Sequence, residues 1–341
     1  MKIVIVGLPR AGQQQLFNLL TGIPLESFQE KPLEIHQGIC AVKDPRITRL
    51  IEMYKPKKTA YARIEYLLLP DFNLQGPAKA IIFAQLKNAD ELCFVCRAET
   101  AENDIASFLS ELVIADLMFV ERRLENIAKS QKKKFAEQAE KEAHLMETCR
   151  KQLEQEKPLH LLEFNEQDIF LINGCQFLSM KPVILALNVA EDQINDAKLS
   201  EAIAAKFSYP TIQVSAELEQ EINQLEEADR PAFMKELGIE ESALNKMNRQ
   251  AFASLGLISF FTVGEDEVRA WPIKNGSTAP EAGATIHSDI AKGFVRAEQF
   301  TYDDLIGLGS EAKIKEQGKF SLKGRDYIVQ DGDVLSFRFN V

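Results

Sequence analysis

Cysteine, positive charge and long apolar runs are all in short supply in this 341-residue chain. Five cysteines at irregular positions are too few for a disulfide framework and fit the reduced thiols of a cytoplasmic protein. Cys93 and Cys96 make a C-x-x-C, but they lie in ELCFVCRA, which reads as a buried strand, and no second pair stands at metal-ligand spacing. No stretch approaches the roughly 18 apolar residues of a spanning helix, and the run before Gly7 is too short for a signal sequence, so no membrane partner is expected. The four histidines, His36, His144, His160 and His287, form no metal or triad pattern, and no metal site is expected. A formal net charge of −11 excludes non-specific wrapping of nucleic acid over the whole surface, because phosphate contacts need Lys and Arg. What is there is ordinary for a globular protein: 45% hydrophobic and 27% charged residues, in a chain long enough for two or three domains.

Along the chain, short apolar runs (IVIV, GICAV, RIEYLLL, ELCFVC) alternate with helical stretches up to about residue 99, the pattern of a largely parallel sheet covered by helices. From Ile105 the pattern becomes continuous helix without Gly or Pro to Pro158, which predicts two long antiparallel helices forming an arm. The sheet pattern resumes with KPVILALNVAED and YPTIQVSAE. The expected organisation is therefore an α/β domain from 1–104 and 158–256, an arm inserted at 105–157, and a separate small α+β domain at 257–341 with Gly, Asn and Asp turns. Between Glu121 and Lys157 ten Lys/Arg face eight Asp/Glu, including the run Lys132, Lys133, Lys134. That run reads as a solvated helix face or a partner contact.

Residues 3–20, IVIVGLPRAGQQQLFNLL, have the frame of a phosphate-binding loop between a strand and a helix. In G-x-x-x-x-G-K-[ST], backbone N–H groups cradle the phosphates, the lysine meets their oxygens and the hydroxyl binds Mg²⁺. Gly7 and Gly12 hold both glycine positions, with Arg10 and Ala11 between them, but Gln13 replaces the lysine and Gln14 the hydroxyl residue. An amide can donate a hydrogen bond; it cannot neutralise a phosphate.

The tail, EVRAWPIKNGSTAPEAGATIHSDIAKGFVRAEQFTYDDLI and KGRDYIVQDGDVLSFRFNV, resembles the TGS domain of the Obg-like ATPase (YchF) family, which has a ubiquitin-like β-grasp fold. IVGLP, LFNLLT, KDPRITRLIEMYKPKK, KPVILALNVAED and LGIEESALN extend the resemblance over nearly the whole chain. It implies an α/β, P-loop NTPase-like, mostly parallel sheet with an inserted coiled-coil-like helical arm and a C-terminal TGS domain. It also implies a lysine and two hydroxyl residues where Gln13, Gln14 and Gln15 stand, a switch threonine at Pro32, and an Asp-x-x-Gly on Leu68-Leu69-Pro70-Asp71, so that its aspartate is Leu68 and its glycine Asp71. Every Mg²⁺ contact the family would supply is replaced, so no catalytic residue remains and Mg²⁺ is not expected. On the base side Asn188-Val189-Ala190-Glu191 matches the family's N-x-x-E, and Ser215-Ala216-Glu217 the supporting loop. Asn188 either meets a purine edge or braces the loops.

The resulting expectation is a pseudoenzyme: a cytoplasmic binding module that contacts the ribosome or RNA, or a protein partner, and binds ATP or GTP weakly if at all. Lys132, Lys133, Lys134 and His287 are the candidate contact residues. The alternatives are a slow ATP- or GTP-hydrolysing enzyme and a pure scaffold.

Overall fold

A computed structural model describes residues 1–30, 32–42, 44–72, 77–130, 136–226, 228–239 and 241–340. Among them the strands are β1 (Lys2–Gly7), β2 (His36–Val42), β3 (Lys58–Ala60), β4 (Ala62–Leu68), β5 (Glu91–Arg97), β6 (Val183–Asn188), β7 (Thr211–Val214), β8 (Leu257–Thr262), β9 (Glu267–Lys274), β10 (Phe294–Thr301), β11 (Ser321–Lys323) and β12 (Asp333–Phe339). They form two sheets, ordered β2-β4-β1-β5-β6-β7 and β11-β10-β12-β8-β9-β3. The chain divides into two compact units, Met1–Gly38 with Glu65–Leu244, and Ile39–Ile64 with Asn245–Val341.

The first unit is the α/β body. β1 pairs in parallel with β4 and β5, β5 with β6, and β6 with β7. Ile3, Val4, Ile5 and Val6 are fully buried, as are Cys93, Phe94 and Cys96, because helices cover both faces of a parallel sheet. Burial raises both thiols, Cys96 to about 12, which leaves the C-x-x-C inert at neutral pH.

The arm consists of the helices Ala101–Ser130 and Ala136–Leu153. Its seam joins Val113, Val120 and Ile127 to Leu145, Met146, Cys149 and Leu153. The first helix begins earlier than residue 105, and its first turns belong to the body: Ala101, Ile105, Phe108 and Leu112 pack in the sheet's core, with Phe108 stacked on Phe94 at 4.2 Å. The charged run Lys132, Lys133, Lys134 lies outside the described residues.

In the second unit the tail forms a mixed sheet. β10 pairs antiparallel with β11 and β12, β8 antiparallel with β9, and β12 in parallel with β8. The QDGD turn before β12 closes through Gly332 at φ 87, and buried Asp333 accepts from Tyr327 Oη, Gln330 N and Gln299 Nε2. Here the structure departs from the domain division expected above, because residues 39–64 and 245–256, assigned there to the α/β domain, fold with the tail. β3 pairs in parallel with β9, and Ile47 and Leu50 of the helix Pro45–Tyr54 are fully buried beside Phe261, Val268 and Val334.

Candidate functional site

β1 is an apolar run that ends at Gly7, and the chain then turns through Leu8 to Gly12 into the helix Gln13–Thr21. The turn needs both glycines. A Cβ at Gly7 would stand 2.7 Å from the Val95 carbonyl oxygen, and one at Gly12, where φ is +100, would stand 2.5 Å from Asn188 Nδ2. Arg10 at the apex also has positive φ, 64, and is exposed. Ala11 N donates to Leu8 O at 3.1 Å, which closes the loop on itself.

Gln13 is buried, 4% exposed, and its Nε2 donates to Asp71 Oδ1 at 2.7 Å. Burial raises the Asp71 carboxyl, and the hydrogen bond from Gln13 works against that shift. Its side-chain oxygen lies back over the start of the loop, 3.1 Å from where a Gly7 Cβ would be. The segment carrying Asp71 is held from three further directions: Leu69 N donates to Ile5 O at 3.1 Å, Phe72 N to Gly7 O at 3.0 Å, and the Phe72 ring meets Phe108 edge-on at 5.1 Å.

Gln14, Pro32 and Leu68, the three positions that the resemblance assigns to the magnesium side, all line one pocket, with Glu34, His36 and Asp71 also at its wall. It measures about 10 Å³, room for roughly one water molecule. Gln14 offers an amide oxygen, and Pro32 and Leu68 offer no side-chain donor. A hard divalent cation needs several oxygen ligands, and these three positions supply one; of the two carboxylates at the wall, Asp71 is already engaged by Gln13. Among the described residues no group of three His, Cys, Asp or Glu is placed to hold a metal. Gln15, next on the helix, is exposed.

On the base side Asn188 ends β6 and bridges two loops. Its Nδ2 donates to Ala11 O at 3.2 Å and its Oδ1 accepts from Ala216 N at 3.4 Å, which leaves one N–H and one lone pair of the amide. Val189 is buried and its N donates to Val214 O at 3.0 Å. Ser215 is buried and caps the helix Ala216–Gln224, while Glu191 is exposed at the head of the 3₁₀ turn Glu191–Gln193. The phosphate-loop and base-side residues are thus brought together, apart from Glu191. His287 belongs to the second unit, where its exposed ring accepts from Asp289 N at 3.2 Å and caps a one-turn helix.

The residue that sequence reasoning passed over is Asp71 as a partner. It was legible as a missing glycine, whereas the complementary signal was that an acceptor appears at that position in the same chain in which an amide donor replaces the lysine.

Residues 257–340 match the family described as "YchF-GTPase_C: Protein of unknown function (DUF933)". Over 362 aligned residues the chain is 36% identical to the ribosome-binding ATPase YchF of Bacillus subtilis (strain 168), covering 99% of this chain and 98% of that one. It is 35% identical to the protein of the same name from Escherichia coli O157:H7, over 100% and 99% of the two chains. The solved structure of the Schizosaccharomyces pombe YchF GTPase matches with a TM-score of 0.85 at 26% identity, over 99% of this chain and 97% of that chain.

Proposed function

Because the chain belongs to the YchF family, we propose that it is a cytoplasmic, ribosome- or translation-associated binding module whose phosphate loop has lost nucleotide hydrolysis. The name shared by its relatives, ribosome-binding ATPase, supports the ribosomal half of this reading. The hydrolytic half rests on one observation: the residue in the lysine position is an amide already paired, at 2.7 Å, with a carboxylate in the position of the switch glycine. A phosphoryl transfer needs positive charge where the transferred group becomes more negative, normally a lysine and Mg²⁺ together. Here that place holds an amide, and the surrounding positions Gln14, Pro32 and Leu68 supply no cation and no adequate set of metal ligands.

What remains for a nucleotide is the backbone of the loop, the exposed Arg10 at its apex and the free valences of Asn188, enough for weak, magnesium-independent binding of ATP or GTP at most. Partner contact then falls to the arm and the TGS-like tail. The test has two arms. Calorimetric titration with ATP, ADP and GTP, each with and without Mg²⁺, is expected to give weak or no heat and no difference on adding the metal; tight magnesium-dependent binding with phosphate release would establish the slow-enzyme alternative. Co-sedimentation with ribosomes over a salt series is expected to show association that weakens as salt rises, and its absence at low salt would remove the ribosomal half.

A further inference from the structure

A groove of about 620 Å³ lies between the second arm helix and the segment that follows it, and the loop site makes no use of it. Leu145, Phe164 and Leu171 give it apolar walls. Its lining also holds Glu140, Glu163 and Asp168, with Lys141 and His144 as the basic residues. Asp168 accepts from Asn165 N at 3.1 Å in a capping box. Glu140 and Glu163 are exposed, and neither has an ion-pair or hydrogen-bond partner for its carboxylate among the described residues. The same stretch of chain shows three large apolar side chains to solvent: Leu161 is 56% exposed, Ile169 53% and Phe170 76%. These three alternate in sequence with residues of the groove wall and are not part of it.

We propose that this groove docks an amphipathic basic segment of another protein, one that sets large apolar residues against Leu145, Phe164 and Leu171 and Lys or Arg against Glu140 and Glu163. The charge selects the occupant. Carboxylates with no ion-pair partner among the described residues repel phosphate, which disfavours nucleic acid, and they attract a cationic peptide whose apolar residues fit the walls. The proposal stands whether or not the phosphate loop binds a nucleotide.

The experiment is fluorescence anisotropy of the full chain with two labelled synthetic helical peptides of one pattern, Lys/Leu and Glu/Leu. The Lys/Leu peptide is expected to bind saturably and more weakly as salt rises, and the Glu/Leu peptide not to bind. The double variant Glu140→Lys with Glu163→Lys is expected to weaken binding about tenfold or more, as is Thr148→Trp, which fills the groove from an exposed position. Because the chain is acidic overall, a control with the same charge change at exposed Glu201 and Glu221 is expected to alter binding by no more than about twofold. Circular-dichroism melts check that each variant folds, and the charge variants alone decide the matter if Thr148→Trp does not. Equal losses in the two charge variants, absence of saturable binding, tighter binding of a uridine homopolymer, or self-association of the chain that the groove variants abolish would each overturn the proposal.

Discussion

At Gln13 the pattern of a phosphate loop is broken, and at Asp71 it is broken again in the complementary sense, so that a neutral donor meets an acceptor at 2.7 Å. Restoring one half of the pattern does not restore the chemistry. In Gln13→Lys the new ammonium has the Asp71 carboxylate as its nearest available counter-ion, and Gln14, Pro32 and Leu68 still stand in place of the magnesium-side residues. Phosphate release from ATP or GTP by this variant is expected to stay at the buffer blank, and magnesium-dependent release would show that the lysine alone had been limiting. Gly12→Ala tests the frame itself. A side chain at φ +100, with its Cβ 2.5 Å from Asn188 Nδ2, costs about 1–3 kcal/mol of backbone strain and displaces the bridge from Asn188 to Ala11; urea denaturation should show that loss. The glycine frame, the missing lysine and the missing hydroxyl were legible in the sequence because each is a residue type at a fixed local spacing. The pairing of Gln13 with Asp71 was not, since the two lie 58 residues apart and only the fold brings them together. For Asn188 the sequence left a purine contact and a loop brace both open, and the structure engages both polar ends of the amide inside the protein.

The strands and the arm helices were readable from apolar periodicity, because a parallel strand buried on both faces and a seam at three-and-four spacing write themselves into the sequence. The root of the arm was not readable. Asp116 interrupts the apolar stretch of the first arm helix and looks like an exposed polar position, yet it is 1% exposed. Its carboxylate accepts from Leu178 N at 2.9 Å, Ser179 N at 2.7 Å and Ser179 Oγ at 2.7 Å, and Ser179 Oγ in turn accepts from Leu159 N at 3.2 Å. Donors from residues 62 and 63 positions away thus satisfy one buried charge and fasten the arm to the body. Asp116→Asn turns an N–H₂ toward one set of these donors and is expected to cost about 1–3 kcal/mol, and Asp116→Leu more, in urea denaturation. Burial outweighs those donors and raises the Asp116 carboxyl. A raised folded value means that the group's titration favours folding most below the ordinary carboxylate value and that this contribution is lost as pH rises through the folded value. The stability gap between the parent and Asp116→Asn should therefore be wider near about pH 4 than at neutral pH; a gap that grows with pH would contradict the assignment.

Residues 39–64 decide how the chain as a whole is divided. They hold most of β2 and the start of β4, so they read as part of the α/β body, and no local signal says otherwise; the strand pairs Lys58 with Glu267 and Ala60 with Arg269 are long-range and appear only in the fold. Their weight in the second unit is large. Ile47 and Leu50 are fully buried there, and burying two such side chains contributes about 3–6 kcal/mol, against roughly 5–15 kcal/mol for the net stability of a whole domain. Polar contacts fix the register: Arg46 Nη1 donates to Asp331 Oδ2 at 2.7 Å with its guanidinium 5.0 Å from the centre of the Phe261 ring, and Tyr54 Oη donates to Glu311 Oε1 at 2.7 Å. A fragment of residues 245–341 made alone would leave Phe261, Val268 and Val334 without this cover. It is expected to unfold at low urea and to bind a hydrophobic dye. Adding a peptide of residues 39–64 in trans should raise its unfolding midpoint in a concentration-dependent way, as any ligand of the folded state does. Arg46→Ala with Leu50→Ala in that peptide should abolish the effect. Full stability of 245–341 without the peptide would mean that the tail is a self-sufficient domain and that 39–64 only rests on it.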